Sequence, residues 1–297
     1  MNFDYKNCTL CPRMCHVDRT TAVGYCKSGS AIRAARAALH HWEEPCISGT
    51  KGSGAVFFSG CTLRCCFCQN YQISSEGFGK ELTPRELAGV FLRLQDEGAH
   101  NIDLITATQY LPSVLPALDL VRHQLTIPVI YNCGGYERVE TIETLKDYVD
   151  IYLPDIKYYS PELSARYSGA ADYFDHASAA ITAMAAQTGP MVFEDGILKK
   201  GVILRHMVLP GARQDSIKLL HWISENLPKN HYMISLLSQY TPFYHSADHP
   251  EINRRLTTFE YQKVVDEAIA LGLDQGYMQE RSSAKEEYTP DFDLSGI

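Results

Sequence analysis

Short apolar runs recur along the chain and alternate with longer amphipathic stretches. Six of the runs are rich in β-branched or aromatic residues, a composition typical of buried strands. The predicted strands are residues 55–60, 101–106, 127–132, 149–154, 201–210 and 232–237. The clearest predicted helix covers residues 83–98. Thr83 caps its N-terminus, Pro84 lies in its first turn and Glu86 completes a capping box. The other predicted helices are residues 112–125, 139–148, 172–187, 214–227 and 257–271.

This alternation predicts an α/β fold with a parallel sheet and right-handed crossovers. Six strand–helix units fall short of the eight that close a TIM barrel, so we expect an open, partial (β/α)6 TIM-like barrel. Ligands of such barrels bind at the carboxyl ends of the strands. We expect residues 1–50 to form a small cysteine-rich module, residues 51–275 the barrel, and residues 276–297 a tail that packs on the barrel.

Charge and composition exclude several classes of protein. Lys and Arg number 27 against 35 Asp and Glu, a net charge of −8, and no basic run is present that would follow a phosphate backbone. Nucleic acid is therefore not an expected partner. The chain has no signal-peptide pattern and no apolar run near the ~18 residues that a membrane span requires, so we expect a cytoplasmic protein with no membrane partner.

Ten cysteines in a cytoplasmic protein are more typical of metal binding than of disulfides, because that compartment keeps thiols reduced. Cys61, Cys65 and Cys68 have the spacing C-x3-C-x2-C, directly after the first predicted barrel strand. Three thiolates at this spacing suit one compact iron–sulfur cluster, and leave one of four irons free to bind a cofactor or substrate. Spacing alone leaves open a zinc site with a further ligand, or cysteines that simply pack.

The surrounding residues resemble a known family. Cys61, Cys65, Phe67 and Cys68 match the C-x3-C-x-aromatic-C signature of radical S-adenosylmethionine (SAM) enzymes. The stretch GSGAVFFSGCTLRCCFCQN, which includes Asn70, resembles the first strand and cluster loop of pyruvate formate-lyase activating enzymes. The segments HHWEEPCISG, IYLPDIKY, RHMVLPG and SQYTP resemble uncharacterised relatives of those enzymes, and the resemblance covers nearly the whole chain.

The resemblance implies an oxidoreductase with a [4Fe–4S] cluster, whose open iron binds SAM. One electron from a donor such as flavodoxin or ferredoxin would cleave SAM to methionine and a 5′-deoxyadenosyl radical, which abstracts hydrogen from the substrate. The implied substrate is a glycine Cα–H of a partner glycyl radical enzyme, in an anaerobic or microaerobic host. Two alternatives remain: a radical SAM enzyme for a small molecule or another peptide, and a non-enzymatic electron-transfer or zinc-binding protein.

The resemblance also implies contacts with the cofactor. In activating enzymes a monovalent cation joins the SAM carboxylate to groups at strand ends, and Asn132, Cys133 and Asp155 occupy the matching positions. Asn and Cys here replace an acid and a hydroxyl, and a thiol suits a hard cation poorly. Asp155 has a second interpretation, an ion pair with Lys157, which is itself a candidate for cofactor binding.

Two further strand ends carry residues that are candidates for binding SAM. Arg205 matches a family arginine near the SAM carboxylate, and we expect Arg205 to face the barrel interior and His206 the opposite way. Many relatives carry a Gly-Gly-Glu turn for the SAM amine, but here the strand ends TATQYLP. Thr106 and Thr108 replace that turn, either as acceptors for the amine or as ordinary strand-end threonines.

Cys8, Cys11, Cys15 and Cys26 form a second group in the N-terminal segment. Because so short a segment can bury only a small core, a bound metal would help to stabilise its fold. Zinc and a fully ligated iron–sulfur cluster fit these ligands equally well, and cysteines without metal remain an alternative. We expect Glu43 and Glu44 to be solvated, and the unassigned Cys46, Cys66 and Cys133 to be small buried hydrophobic residues.

Overall fold

The computed structural model describes residues 4–279 and 290–297, so part of the predicted tail, residues 280–289, lies outside the described residues. The strands are β1 (Ile32–His40), β2 (Ser53–Phe58), β3 (Lys80–Leu82), β4 (Ile102–Ile105), β5 (Val129–Cys133), β6 (Ile151–Pro154), β7 (Val192–Glu194), β8 (Ile197–Met207), β9 (Tyr232–Leu237) and β10 (Gly276–Met278). The helices are α1 (Pro45–Ser48), α2 (Tyr71–Ser74), α3 (Pro84–Asp96), α4 (Leu111–Val121), α5 (Val139–Thr144), α6 (Pro161–Ser168), α7 (Tyr173–Thr188), α8 (Arg213–Asn226) and α9 (Thr258–Ala270).

The strands form one mostly parallel sheet. Its order is β10-β9-β8-β6-β5-β4-β2-β1-β3, with β7 paired to β8 as a short hairpin. The neighbours from β2 to β10 are parallel, whereas β1 is antiparallel to both β2 and β3. The predicted α/β class and the open, partial barrel are confirmed, and the six predicted strands correspond to β2, β4, β5, β6, β8 and β9.

The helices cover the sheet with the apolar faces that their sequences predict. In α3, Leu87, Phe91 and Leu94 are buried on the side that faces the sheet. The predicted capping box is present: the backbone N–H of Glu86 donates to Thr83 Oγ1 (3.2 Å), and the backbone N–H of Thr83 donates to Glu86 Oε2 (2.7 Å). Within the described parts of the chain, no helix combines the length and apolar character that a membrane crossing requires.

The N-terminal region contributes β1 to the sheet, and the last residues of the chain pair with this strand. This strand begins inside the segment predicted as a separate module and pairs with β2 along nearly its whole length. The backbone N–H of Leu294 donates to Ala35 O (2.9 Å), and the N–H of Ala37 donates to Ser295 O (2.8 Å). Residues 294–295 therefore lie along β1. Sequence reasoning missed this strand because its alternation is carried mainly by alanine, which has a low strand propensity.

Successive residues of β8 point to opposite faces of the sheet, as strand geometry requires. Arg205 points into the barrel, and His206 points outward and is buried beneath α8. His206 Nδ1 lies 2.6 Å from Ile156 O, and Nε2 lies 2.9 Å from Ser216 Oγ. Burial lowers the pKa of His206 to about 4, so the imidazole is neutral in the folded protein at neutral pH.

His206 makes the stability of the fold depend on pH. Because its pKa is lower in the folded chain than in the unfolded chain, its contribution is complete above pH ~6.5 and is lost as pH falls toward the folded value. We expect this residue to reduce the free energy of unfolding by about 2 kcal/mol between pH 7 and pH 5. Urea unfolding of the wild type and of His206→Gln at both pH values measures this, and an equal loss in the two proteins would contradict it.

Candidate metal and cofactor site

The loop with Cys61, Cys65 and Cys68 begins directly beyond β2, at the carboxyl-end edge of the sheet. Gly60 opens it with φ +84°, a conformation that favours glycine. Backbone hydrogen bonds then fix the loop at both sides, from Gly60 N to Ile73 O (2.9 Å) and from Cys66 N to Tyr167 O (2.8 Å). The loop is therefore held between α2 and α6 before any ligand binds.

Each of the three cysteine sulfurs has a polar neighbour. The backbone N–H of Leu63 donates to Cys61 Sγ (3.5 Å), and the Ser168 hydroxyl donates to Cys65 Sγ (3.0 Å). Cys68 Sγ lies 3.3 Å from Ser74 Oγ. Hydrogen bonds to ligand sulfurs are among the features that set the potential of an iron–sulfur cluster. Neither serine is identifiable from the signature, because both come from helices elsewhere in the chain.

Two thiols of the loop, those of Cys61 and Cys68, are less acidic than ordinary cysteine thiols. Burial, and then the charge of Cys65, raise the pKa of Cys61 to about 12, and the same causes raise the pKa of Cys68 to about 11. A metal that binds them must displace protons, and a positive centre favours that step. The neighbouring Cys66 is buried as a small hydrophobic residue in the packing beneath the loop, as expected.

A cleft of about 220 Å³ opens beside this loop. Seven of the residues predicted for the cofactor or the cluster line it, together with five further side chains. The cleft is lined by Cys65, Phe67, Cys68, Gln69, Asn70, Asp155, Lys157, Arg205, Met207, Leu209, Leu237 and Gln239. Its polar groups come from the ends of β6 and β8, and its apolar wall comes mainly from β8 and β9.

Arg205 is the centre of a buried polar network below the cleft. Its Nε donates to Asp155 Oδ1 (3.2 Å) and its Nη1 to Glu43 Oε2 (3.0 Å), while Nη2 donates to Asn132 Oδ1. Lys157 Nζ donates to the second carboxylate oxygen of Asp155 (2.5 Å). Burial alone would raise the pKa of Asp155, but the charges of Lys157 and Arg205 outweigh burial and hold it below its usual value.

Sequence reasoning missed the acids on the other side of this network. Glu43 and Glu44 are buried rather than solvated as expected, because Arg205 draws the N-terminal segment into the barrel. Asp103, from β4, is fully buried and accepts from Asn132 Nδ2 (3.2 Å). Burial, then the charge of Glu43, raises the pKa of Asp103 well above its ordinary value. One oxygen each of Asp103 and Glu44 has no hydrogen-bond partner among the described residues.

The remaining candidates from the sequence lie outside the cleft lining. Thr108 is fully buried, and its hydroxyl lies 2.7 Å from Tyr131 Oη and donates to Glu137 Oε1 (2.7 Å). Thr106 contributes its carbonyl oxygen to Gln109 Nε2 (2.8 Å). Cys133 is buried in the apolar core around the parallel strands, and its carbonyl oxygen accepts from the backbone N–H of Asp155 (2.9 Å). The second cysteine group, Cys8, Cys11, Cys15 and Cys26, surrounds a small cavity of its own.

Comparison with known proteins supports the interpretation of the cysteine loop. A family model described as the radical SAM superfamily matches residues 55–223, more than half of the chain. The chain belongs to the radical SAM superfamily. The match begins in β2 and therefore includes the whole loop of Cys61, Cys65 and Cys68.

Relatives of this superfamily protein include one that matches nearly the whole of this chain. An uncharacterised protein of Methanocaldococcus jannaschii is 31% identical over 283 residues, which cover 92% of this chain and 77% of that protein. The structure also resembles SuiB of Streptococcus suis bound to SAM (TM-score 0.52) and SuiB bound to its precursor peptide SuiA (TM-score 0.51). Each match has 12% identity and covers 74% of this chain, which spans about half the length of SuiB (48% and 46%). At 12% identity, this structural likeness shows a shared fold alone.

The superfamily implies a [4Fe–4S] cluster and SAM, and the residues present fit both groups. Three soft thiol ligands share one preformed loop, and hydrogen-bond donors surround their sulfurs. The cleft beside them presents Lys157 and Arg205, whose charges suit a carboxylate, and apolar side chains that suit the remainder of a nucleoside. These features favour a cluster that is open toward the cleft.

The Arg205 network predicts how substitutions affect stability. In Arg205→Leu, Glu43 and Asp155 each lose a buried partner, so we expect the free energy of unfolding to fall by about 3–5 kcal/mol. Arg205→Lys keeps the positive charge but lacks the planar guanidinium, so its free energy of unfolding should fall by less than that of Arg205→Leu. Urea unfolding of the three proteins at pH 7 measures both effects. Equal stability of Arg205→Leu and the wild type would contradict the role assigned to this residue.

Proposed function

We propose that this radical SAM enzyme abstracts hydrogen from a glycine of a partner polypeptide, as a glycyl-radical-enzyme activase does. The observation that carries this proposal is the cleft, which joins the three-cysteine loop to a pair of cations and opens to solvent on one side. When bound, the cluster and SAM supply a one-electron cleavage of the sulfonium that yields methionine and a 5′-deoxyadenosyl radical. The cluster would be held by Cys61, Cys65 and Cys68, with Phe67 packed beside it.

The residues of the chain have distinct tasks in this proposal. Lys157 and Arg205 orient the SAM carboxylate, while Asn70 lies on the cleft wall beside Cys68. Asn132 acts through Arg205, because it holds the guanidinium from below. Phe67 is buried against Tyr240, with the ring centroids 5.7 Å apart, and closes the apolar side of the cleft.

Two observations favour a polypeptide over a small molecule as substrate. The motifs around the cluster resemble activating enzymes, whose substrates are glycyl radical enzymes. The fold is also shared with SuiB, which has been observed with a precursor peptide. A low-potential flavodoxin or ferredoxin would supply the electron.

The structure alters the proposal of a monovalent cation near Asp155. Both carboxylate oxygens of Asp155 already accept hydrogen bonds, one from Arg205 and one from Lys157. We infer that the ammonium of Lys157 takes the place of the monovalent cation. This substitution fits the presence of Asn132 and Cys133 at positions where a cation site would need oxygen anions or hydroxyls.

The proposed chemistry predicts that Cys65 is essential and its neighbour Cys66 is not. After anaerobic reconstitution with iron and sulfide, the wild type should form 5′-deoxyadenosine from SAM and a strong reductant. Cys65→Ala should form none, because it removes a cluster ligand. Cys66→Ala is the matched control from the same loop and should keep the activity. Chromatography of the nucleoside measures the result, and undiminished turnover in Cys65→Ala would refute the assignment.

Substrate identity is tested by isotope transfer. A candidate glycyl radical enzyme labelled with deuterated glycine should pass deuterium into 5′-deoxyadenosine, and mass spectrometry detects the label. If the nucleoside forms without deuterium from any labelled glycine of the candidate, that partner is excluded. If deuterium arrives from a labelled small molecule instead, the polypeptide proposal is wrong while the radical chemistry stands.

The role of Lys157 predicts an unusual response to salt. Wild-type SAM cleavage should be unchanged when K⁺ is replaced by tetramethylammonium, because the cation is part of the protein. In Lys157→Gln one oxygen of Asp155 is released, so cleavage should be weaker and should increase when K⁺ is added. Rates with the two salts measure this effect. A requirement for K⁺ in the wild type would contradict the inference.

A further inference from the structure

The four N-terminal cysteines converge on one enclosed cavity, although they span 19 residues of sequence. Backbone hydrogen bonds from Cys8 N to Val17 O (3.2 Å) and from His16 N to Cys8 O (3.0 Å) fold the segment back on itself. A Cβ placed on Gly24 would lie 3.4 Å from Cys15 Sγ and 3.5 Å from Cys26 Sγ, so both sulfurs border the same point. Glycine at this position keeps the cavity free of side-chain atoms.

The cavity contains polar groups whose partners are missing from the described protein. Gln109 is 1% exposed and lines the cavity, and its Oε1 has no hydrogen-bond partner among the described residues. Its Nε2 donates to the carbonyl oxygens of Ser59, Gly60 and Thr106. A buried polar atom without a partner is costly. Gln109 Oε1 is an acceptor, so the partner it lacks is a hydrogen-bond donor and is not the sulfur of a metal-bound thiolate.

Arg19 indicates that the four cysteines carry negative charge. Its side chain is 1% exposed and donates to the carbonyl oxygens of Ser28, Gly29 and Gln109. Its Nη1 also lies 3.7 Å from Cys8 Sγ. In the part of the chain that the structure describes, no carboxylate pairs with this buried cation. Buried charges need a counter-charge, and thiolates bound to a metal centre supply one.

The spacing of the ligands favours a cluster over zinc. Zinc holds each thiolate at about 2.3 Å, so four thiolates on one zinc must nearly touch each other. Among residues 4–279 and 290–297, no three His, Cys, Asp or Glu side chains converge closely enough to hold a single metal ion. The loop of Cys61, Cys65 and Cys68 does not meet that spacing either, although its family binds a wider, four-iron group there. The N-terminal cysteines resemble that loop in one respect: they line a common cavity without meeting the spacing of a single-ion site.

The N-terminal cavity lies against the loop of the SAM cluster. A Cβ on Gly60 would meet Cys26 O at 2.8 Å, so the two backbones are in direct contact. Thr62 lines the N-terminal cavity, and its carbonyl accepts from Arg13 Nε (3.0 Å). Gly60 and Thr62 flank Cys61 on either side. The backbone on both sides of Cys61 therefore borders the N-terminal segment and its cavity.

We propose that Cys8, Cys11, Cys15 and Cys26 ligate a second, fully ligated [4Fe–4S] cluster that passes electrons to the cluster of Cys61, Cys65 and Cys68. The relay rests on the proposed function, whereas the metal site does not. Each transfer oxidises the N-terminal cluster by one electron and reduces the SAM cluster by one. A low-potential one-electron donor restores the N-terminal cluster. All irons of this cluster have cysteine ligands, so it binds no SAM.

Metal content tests the site directly. After anaerobic reconstitution, the wild type should contain about eight irons per chain, and Cys11→Ala about four. The triple variant Cys61→Ala/Cys65→Ala/Cys68→Ala keeps the N-terminal ligands and should also contain about four. It reports on the N-terminal site even if Cys11→Ala does not fold. The control Cys66→Ala should match the wild type. Zinc in the triple variant, or no metal, would overturn the proposed cluster.

Counting electrons tests the relay. Each protein is reduced, freed of excess reductant and mixed with SAM. The wild type should form about two molecules of 5′-deoxyadenosine per chain, and Cys11→Ala about one, because it stores one electron fewer. Eight irons with one nucleoside in the wild type would overturn the relay and leave the second cluster supported. Eight irons with no nucleoside would overturn the proposed function, and the relay with it, but not the metal site.

Discussion

The buried guanidinium of Arg205 is the interaction on which the rest of the site depends. Three parts of the chain that are distant in sequence meet at this one group, through Glu43, Asn132 and Asp155. None of these contacts involves Cys61, Cys65 or Cys68, so protein charges alone position the cations that we propose for the SAM carboxylate. A surface ion pair would contribute little, but a pair in this environment is costly to break. The network therefore fixes how β5, β6 and β8 meet beneath the cleft.

A second constraint acts on the other side of the cluster loop. Gly60 has a positive φ and lies against Cys26 and Ser28, so the N-terminal segment and the loop leave no room for a side chain between them. This contact makes the first residues of the chain part of the cluster environment. The Gly60 contact and the backbone hydrogen bonds of Gly60 and Cys66 together give the loop of three cysteines a defined position.

Much of the barrel and the cluster loop was predictable because both depend on local patterns. The six apolar runs identify the parallel strands without knowledge of tertiary structure, and the spacing of Cys61, Cys65 and Cys68 identifies the loop. β1 was missed because it owes its strand structure to pairing with β2. Glu43, Asp103 and Ser168 were missed for a related reason: a polar residue is recognised as part of a site only when its distant partner is known.

Burial of the cluster-binding thiols has a consequence for the life of the protein before maturation. The thiolate is the form of cysteine that reacts with oxidants and electrophiles. Since Cys61 and Cys68 have raised pKa values, the newly folded chain carries them in the inert form. Delivery of iron and sulfide would then release acid into the surroundings. Maturation should therefore be sensitive to the local proton concentration.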